Sequence, residues 1–157
     1  MLKEGYQAPE IQVHTDTGEA FRLSDLKGKR VVLYFYPKAD TPGCTTESCE
    51  FRDGIGGFAG KGVTVIGISP DKPAAQSKFK SKYDLPFTLL ADEEKTAAQA
   101  YGVWKEKNMY GKRYWGVART TFWIGPDGRI KKIWKKVDTK RHAEDVLAEL
   151  DAAHAKK

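Results

Sequence analysis

Short apolar runs alternate along the chain with longer stretches in which apolar residues recur at helical spacing. The runs are rich in β-branched and aromatic residues, a composition typical of buried strands. They predict strands at 31–36, 63–69, 87–90, 120–125 and 129–135, and a hairpin from 11–13 and 21–23. The helical stretches predict helices at 44–53, 73–83, 93–101 and 139–154. Because strands and helices alternate, we expect an α/β protein with a layered sheet.

The last predicted helix shows the clearest amphipathic pattern. Its apolar residues recur at helical spacing and form one stripe that should face the core, namely Ala143, Val146, Leu147 and Leu150. A turn is predicted before it, between the last two strands, by Gly125-Pro126-Asp127-Gly128. We find no internal repeat or linker.

The segment 108–120, NMYGKRYWGVART, is unusually aromatic for what reads as a loop leading into a strand. Packing against the sheet is the first expectation for Tyr110, Tyr114 and Trp115. Because the segment ends close to Arg119, we also expect Tyr114 and Trp115 to line a substrate pocket there.

Length and composition indicate an ordinary globular protein. A chain of 157 residues with 40% hydrophobic and 31% charged residues suits one domain, which we expect to span 1–157. The first twenty residues are interrupted by charges and lack an apolar core, so we expect no secretory signal and a cytoplasmic location. In that compartment an accessible cysteine pair is more often catalytic than structural.

Chemistry is concentrated in residues 37–49, PKADTPGCTTESC, which follow the strand predicted at 31–36. After the turn-forming Thr41-Pro42-Gly43, Cys44 should lie in the first turn of a helix. Unpaired backbone N–H groups and the helix dipole stabilise negative charge at such a position. We therefore expect Cys44 to favour the thiolate, which is the nucleophilic form.

A second cysteine, Cys49, follows five residues later. On an intact α-helix, residues five apart have Cα atoms about 8.6 Å apart. A disulfide rarely tolerates more than about 7 Å. If the two cysteines form a disulfide, the helix between them must therefore unwind locally.

The spacing of Pro37, Thr41 and Cys44 resembles the active-site motif of the peroxiredoxin family, and Cys49 resembles the nearby second cysteine of its bacterioferritin-comigratory, or peroxiredoxin Q, subfamily. Further landmarks in the expected order are GYQAPEIQV, VTVIGISPDKP, PFTLLAD and RTTFWIGPDG. The resemblance covers essentially the whole chain. It implies a thioredoxin-like fold with a central mixed sheet flanked by helices and an N-terminal β-hairpin extension.

The resemblance also implies roles for individual residues. Pro37 would shield the cysteine, the Thr41 hydroxyl would hydrogen-bond to peroxide and thiolate, and Arg119, in RTTF, would complete the site. Such a reaction needs donors for the charge that develops on the leaving oxygen. Backbone N–H groups around Gly43 would help to supply them, and Glu47 would hold Arg119 in place.

The activity implied is reduction of hydrogen peroxide and organic hydroperoxides in antioxidant defence. Cys44 would become a sulfenic acid, Cys49 would resolve it as an intramolecular disulfide, and thioredoxin or a similar dithiol would reduce that disulfide. No cofactor is implied. A monomer is expected, because the resolving cysteine lies in the same helix and no partner subunit is needed.

Other ligands find little support in the sequence. The three histidines, His14, His142 and His154, lie far apart, and Cys-x4-Cys lacks a second ligand pair, so we expect no metal site. The net charge of +6 includes basic clusters at 105–113 and 131–136. A solvated surface is the plain explanation, and docking of an acidic electron donor is the alternative. We expect neither nucleic-acid nor membrane binding.

Several readings remain open on the residues alone. Cys49 could simply pack, and Arg119 could be an ordinary surface arginine. A one-cysteine peroxidase that uses an external thiol is an alternative within the enzymes. A disulfide oxidoreductase would require Cys-x-x-Cys, but position 47 is glutamate. A redox sensor whose affinity for a partner changes on oxidation of Cys44 is the third alternative.

Overall fold

The computed structural model describes residues 2–55, 58, 62–135, 142–146 and 148. Nine strands and three helices have defined bounds. The strands are β1 Gln12–Thr15, β2 Ala20–Arg22, β3 Arg30–Phe35, β4 Val63–Ser69, β5 Thr88–Ala91, β6 Trp104–Met109, β7 Lys112–Val117, β8 Thr120–Ile124 and β9 Ile130–Trp134. The helices are α1 Pro42–Asp53, α2 Pro73–Tyr83 and α3 Thr96–Ala100, and a 3-10 turn spans Leu23–Leu26.

Seven strands form one mixed sheet in the order β2-β1-β5-β4-β3-β8-β9. The three central neighbours β5, β4 and β3 are parallel, whereas β8 and β9 continue the sheet in antiparallel register on one side. The antiparallel β1–β2 hairpin joins the other side through β5. The predicted thioredoxin-like fold with a mixed sheet and an N-terminal hairpin is confirmed.

The sheet has a core on each face because the side chains of β3 alternate. Val31, Leu33 and Phe35 belong to the core shared with α3 and the N-terminal segment. Val32 and Tyr34 point to the opposite face and join the core that contains side chains of α1 and α2. Since all five side chains are at most 1% exposed, β3 is buried on both faces, as its continuous apolar run predicts.

Most predicted elements match the observed ones within about two residues. The exception among the helices is 93–101, which shortens to Thr96–Ala100. Lys95 adopts a left-handed backbone (φ 59°) just before this helix, and the Asp92 carboxylate accepts hydrogen bonds from the backbone N–H groups of Ala97 and Ala98. The capping carboxylate fixes the later start.

The predicted helix 139–154 is described only in part. Residues 142–146 are helical, and Ala143 and Val146 are buried on the α1 side of the sheet, as expected for the apolar stripe. Leu147 and Leu150 lie outside the described residues whose side chains can be placed.

The prediction of a loop at 108–120 is wrong, because most of this segment belongs to the antiparallel β6–β7 hairpin. Its turn residues Tyr110 and Gly111 both have positive φ (54° and 79°), as a two-residue type I′ turn requires. The expected packing against the sheet is also wrong for Tyr110, Tyr114 and Trp115, which are 97%, 41% and 59% exposed. The hairpin forms a separate two-stranded sheet, so these rings have no large sheet to cover them.

Candidate active site

Helix α1 begins immediately before Cys44. Thr41 is the extended residue that precedes the helix, and Pro42 occupies its first position, where a fixed φ and a missing N–H are tolerated. Cys44 is the third helical residue and is fully buried. Its sulfur therefore lies at the end of the helix where unpaired N–H groups favour a negative charge.

The loop between β3 and α1 is held by two aspartates that sequence reasoning did not identify. The backbone N–H of Ala39 donates to Asp71 Oδ2 at 2.7 Å. Asp40, in a left-handed conformation (φ 61°), accepts hydrogen bonds from Lys82 Nζ and the Tyr83 hydroxyl, each at 2.9 Å. Asp71 lies just before α2, and Lys82 and Tyr83 lie within it, so α2 fixes the loop that leads to the start of α1.

Thr41 and Pro37 lie in this loop, which leads to Cys44, and both are partly buried. The Thr41 hydroxyl donates a hydrogen bond to the Lys38 carbonyl oxygen at 2.8 Å. A hydroxyl has a single proton, so in this arrangement Thr41 can only accept a hydrogen bond from an incoming hydroperoxide. The expected donation from Thr41 to the thiolate is not the arrangement found here.

Arg119 reaches Cys44 from just before β8, a strand next to β3 in the sheet. Its Nη2 lies 3.3 Å from Cys44 Sγ, and its Nη1 lies 2.9 Å from Glu47 Oε1. Burial alone would lower the pKa of the guanidinium, but Glu47 and Cys44 outweigh it and raise the pKa. The guanidinium therefore stays cationic beside the sulfur and is held there by Glu47.

Glu47 is fully buried one turn after Cys44. Burial raises the pKa of its carboxyl to about 7, although the charge and hydrogen bond of Arg119 act in the opposite direction. Its second oxygen, Oε2, has no hydrogen-bond partner among the described residues. The carboxyl group is therefore fixed by Arg119 on one side only.

Lys107 is a second cation near the sulfur, and sequence reasoning missed it. Its Nζ donates to the carbonyl oxygen of Val117, two residues before Arg119. Burial, and then the nearby charge of Arg119, lower its pKa, whereas Cys44 acts in the opposite direction. The cross-strand register of the β6–β7 hairpin brings it there, and no sequence motif marks it.

Cys49 lies in the same continuous helix as Cys44, and both thiols are free. Cys49 is partly buried, and burial raises the pKa of its thiol. Helical geometry separates the two Cα atoms by about 8.6 Å, beyond the usual reach of a disulfide. The premise of the unwinding prediction, two cysteines on one intact helix, is therefore met.

The two aromatic residues expected near the pocket lie on opposite faces of the β6–β7 hairpin. Tyr114 pairs with Lys107 and shares its face, and a Cβ added at Gly116 would contact both side chains. Trp115 lies on the other face, where its ring stacks on Trp104 at 6.4 Å. Of the two, only Tyr114 is on the face from which a lysine reaches towards Cys44.

Cys44, Glu47 and Arg119 thus form one connected cluster, and Thr41 and Gly43 adjoin it at the start of α1. Among the described residues, this cluster included, no three histidine, cysteine, aspartate or glutamate side chains are grouped so that they could hold a metal ion. No described helix is long and apolar enough to cross a membrane. Together, the cluster and the adjoining Thr41 combine a buried thiol, a fixed cation and a hydroxyl oxygen that can accept a hydrogen bond from a substrate.

Comparison with known proteins identifies relatives along nearly the whole chain. The family model AhpC/TSA matches residues 5–133. Peroxiredoxin Bcp of Bacillus subtilis is 49% identical over 149 residues, covering 95% of each chain. Peroxiredoxin Bcp of Escherichia coli is 44% identical over 146 residues, covering 93% of this chain and 94% of the other.

Solved structures of PrxQ and bacterioferritin comigratory proteins are also similar to this chain over nearly its whole length. The Xylella fastidiosa PrxQ mutant superimposes with a TM-score of 0.92 at 34% identity, covering 98% of both chains. The bacterioferritin comigratory protein of Xanthomonas campestris gives a TM-score of 0.86 at 36% identity and 91% coverage of both chains. The latter was studied for its alkyl peroxide reduction activity, in structures of a trapped intermediate and ligand complex.

Proposed function

The chain belongs to the AhpC/TSA family, with relatives of the Bcp and PrxQ type, and from the cluster around Cys44 we infer that it is a thiol-dependent peroxidase. The observation that carries this proposal is the position of Arg119, whose Nη2 lies 3.3 Å from the buried Cys44 sulfur. A fixed cation at that distance stabilises both the thiolate and the negative charge that develops during attack. We propose hydrogen peroxide and organic hydroperoxides as substrates.

The first step is attack of the Cys44 thiolate on the terminal peroxide oxygen. The S–O bond forms as the O–O bond breaks, Cys44 becomes a sulfenic acid, and the leaving alkoxide or hydroxide takes up a proton to leave as alcohol or water. Arg119 and the N–H groups at the start of α1, around Gly43, would stabilise the leaving oxygen. Thr41 would accept the substrate O–H, which orients the O–O bond, and Pro37 would limit access of water.

The second step is resolution by Cys49. Its thiol would condense with the Cys44 sulfenic acid, forming a disulfide and releasing water. Because the two cysteines lie on one intact helix, this step requires α1 to unwind between them. A thioredoxin-like dithiol would then reduce the disulfide, and the exposed basic hairpin suits an acidic donor of this kind.

We further propose that the protein acts as a monomer in the cytoplasm. Both cysteines lie on one helix of the same chain, so resolution needs no second subunit, and repeated reduction of their disulfide needs the reducing supply of that compartment. Sedimentation of the reduced and oxidised forms and fractionation of the source cells test these two points.

The function is tested by mixing reduced protein with one equivalent of hydrogen peroxide and following intact mass by rapid quench. We expect wild type to lose two hydrogens, Cys49→Ser to gain one oxygen, and Cys44→Ser to show no fast change. Thioredoxin should then restore the original mass of wild type. Fast oxidation in the absence of Cys44 would contradict the assignment of the nucleophile.

Turnover and disulfide-reduction assays of the same variants separate the alternatives. Full turnover of Cys49→Ser with an external thiol would favour a one-cysteine peroxidase. Slow oxidation without recycling would favour a redox sensor, and reduction of protein disulfides without peroxide consumption would favour a disulfide oxidoreductase.

A further inference from the structure

Helix α1 is fastened to the sheet by a buried hydrogen bond next to the resolving cysteine. The Tyr34 hydroxyl, on β3, lies 2.8 Å from the hydroxyl of Ser48, and both residues are fully buried. Ser48 is adjacent to Cys49 and one helical turn after Cys44. It therefore lies inside the segment that must unwind before the two sulfurs can meet.

The Tyr34 ring is held tightly, so its hydroxyl has little freedom to follow Ser48. It stacks on Phe51 of α1 with ring centroids 4.7 Å apart. On its other side it approaches Gly67 of β4, where an added Cβ would lie only 2.8 Å from the Tyr34 hydroxyl oxygen. Burial raises the pKa of the Tyr34 hydroxyl, so it remains protonated and able to donate.

We propose that the Tyr34–Ser48 hydrogen bond, here called the latch, sets how readily α1 unwinds, and hence whether the Cys44 sulfenic acid is resolved by Cys49 or oxidised further. This inference rests on the proposed function. While the latch is closed, a second hydroperoxide can convert the sulfenate to a sulfinate, with transfer of one oxygen and release of alcohol or water. Once it opens, Cys49 can form the disulfide with loss of water.

The proposed latch predicts how much faster resolution should be in variants that lack one of the two hydroxyls. Removing one partner leaves the other buried without a hydrogen bond in the folded helix, whereas Ser48 in the unwound segment is solvated. We expect the population of the unwound helix, and with it the rate of resolution, to rise about five- to tenfold. This factor corresponds to the lower end of the free-energy cost of an unpaired buried hydroxyl, because a serine hydroxyl can instead donate to a backbone carbonyl one turn earlier. The attack of Cys44 on peroxide should not change, because the folded helix still predominates.

Tyr36 provides a matched control, because it lies immediately after β3 and its side chain joins the same core as Tyr34. It is also fully buried, and its hydroxyl donates at 2.5 Å to Gln76, which belongs to α2 rather than to α1. Tyr36→Phe thus removes an equivalent buried hydrogen bond without freeing the cysteine helix. It should leave the rate of resolution unchanged.

The experiment measures single-turnover resolution, and the fraction of sulfinate formed in excess hydrogen peroxide, by rapid-quench mass spectrometry. Its variants are Tyr34→Phe, Ser48→Ala, the double variant and Tyr36→Phe. We expect both single latch variants to resolve about five- to tenfold faster and to form correspondingly less sulfinate. Ser48→Ala also keeps the test valid if Tyr34→Phe folds poorly. Alanine favours the helix more than serine does, so its propensity alone would slow unwinding, and faster resolution in this variant must come from loss of the hydrogen bond.

The double variant decides whether the two hydroxyls act through each other. If they form one latch, adding Tyr34→Phe to Ser48→Ala has no further effect on resolution. Multiplicative effects, wild-type rates in the single variants, or equal acceleration by Tyr36→Phe would each overturn the latch. A wild type that forms no Cys44–Cys49 disulfide would instead overturn the proposed resolving role of Cys49, and the latch with it.

Discussion

Glu47 combines two properties that rarely occur together in a side chain: it is fully buried, and its Oε2 atom has no hydrogen-bond partner among the described residues. Its ion-pair partner among the described residues is Arg119, at 2.9 Å. A carboxylate in this setting destabilises the fold, because burial outweighs a single ion pair and raises its pKa to about 7. This carboxylate nevertheless fixes the cation next to Cys44.

The sign of this effect follows from linkage. The folded-state pKa of Glu47, about 7, lies above the ordinary value of 4.5, so the neutral acid is the form that the fold prefers. Its contribution to stability is therefore most favourable below pH 4.5 and is lost as the pH rises through about 7.

We predict that Glu47→Gln stabilises the protein at pH 8 and slows peroxide reduction. The amide cannot ionise, so the free energy of unfolding should rise by about 1–3 kcal/mol at pH 8 and change little at pH 5. Loss of the ion pair should loosen Arg119 and lower kcat/KM roughly tenfold. Urea unfolding at both pH values and steady-state kinetics measure the two effects.

Glu94→Gln is the matched control, because it makes the same charge change at an exposed position. It should alter neither the pH dependence of stability nor kcat/KM appreciably. If Glu47→Gln were less stable than wild type at pH 8, the ion pair with Arg119 would outweigh the cost of burial. Ionised Glu47 would then stabilise the fold, contrary to our prediction.

The sequence identifies the cluster residues to different degrees. Cys44 is marked by its position after a turn and in the first turn of a helix, which is a local signal. Arg119 is 75 residues away along the chain, and only the family resemblance selects it from the other basic residues. Lys107 has no signal of either kind, because it reaches the site through the register of a hairpin that the sequence did not reveal.

At the scale of elements, the β6–β7 hairpin shows why that register was missed. Strong hairpin signals in sequence are dipeptides such as Asn-Gly, which adopt positive φ easily. Here the turn is Tyr110-Gly111, and a tyrosine with φ of 54° is uncommon. The strands also carry lysines and arginine on both faces, so neither shows the apolar alternation of a half-buried strand.

The hairpin register yields a prediction on substrate preference. Tyr114 shares the face of Lys107, the side chain that approaches the cluster, so we expect Tyr114→Ala to lower kcat/KM for bulky organic hydroperoxides about three- to tenfold through lost apolar contact. Hydrogen peroxide has no alkyl group and should be reduced at nearly the wild-type rate. Steady-state kinetics with cumene hydroperoxide and hydrogen peroxide measure the ratio.

Trp115→Ala serves as the control for Tyr114→Ala. Trp115 is an exposed aromatic residue of the same strand, but it lies on the opposite face and stacks on Trp104. It should leave the ratio of the two substrates unchanged. Equal losses with both substrates in Tyr114→Ala would instead indicate that Tyr114 only supports the hairpin.

For the whole molecule, the sheet order explains how distant segments form one cluster. A short loop joins β3 to α1, and the sheet neighbour of β3, β8, begins right after Arg119, so the two halves of the site meet on one face of the sheet. Apolar runs and helical spacing were enough to predict most of the strands and helices and the α/β class. They could not specify which strand lies next to β3, because that depends on contacts between residues far apart in sequence.

His142 connects three parts of this arrangement. It lies in the helical residues 142–146, its Nε2 is 2.7 Å from the Thr121 hydroxyl on β8, and its ring packs edge-on against Phe51 of α1. Burial lowers its pKa to about 4, with Asp145 opposing and Arg119 reinforcing the shift. The neutral imidazole therefore holds α1, β8 and this helix together on one face of the sheet.

We predict that protonation of His142 contributes to acid destabilisation of the entire fold. Because its folded-state pKa is depressed from 6.5 to about 4, the stability it supplies is present above pH 6.5 and is lost as the pH falls towards 4. The loss should amount to about 2–3 kcal/mol over that window. His142→Gln cannot titrate, so its free energy of unfolding should decline less steeply, while His14→Gln, at an exposed position, should follow wild type. Urea unfolding of the three proteins between pH 7 and pH 4 measures how steeply the free energy of unfolding falls with pH. An identical pH dependence in all three would show that protonation of His142 does not contribute to acid destabilisation.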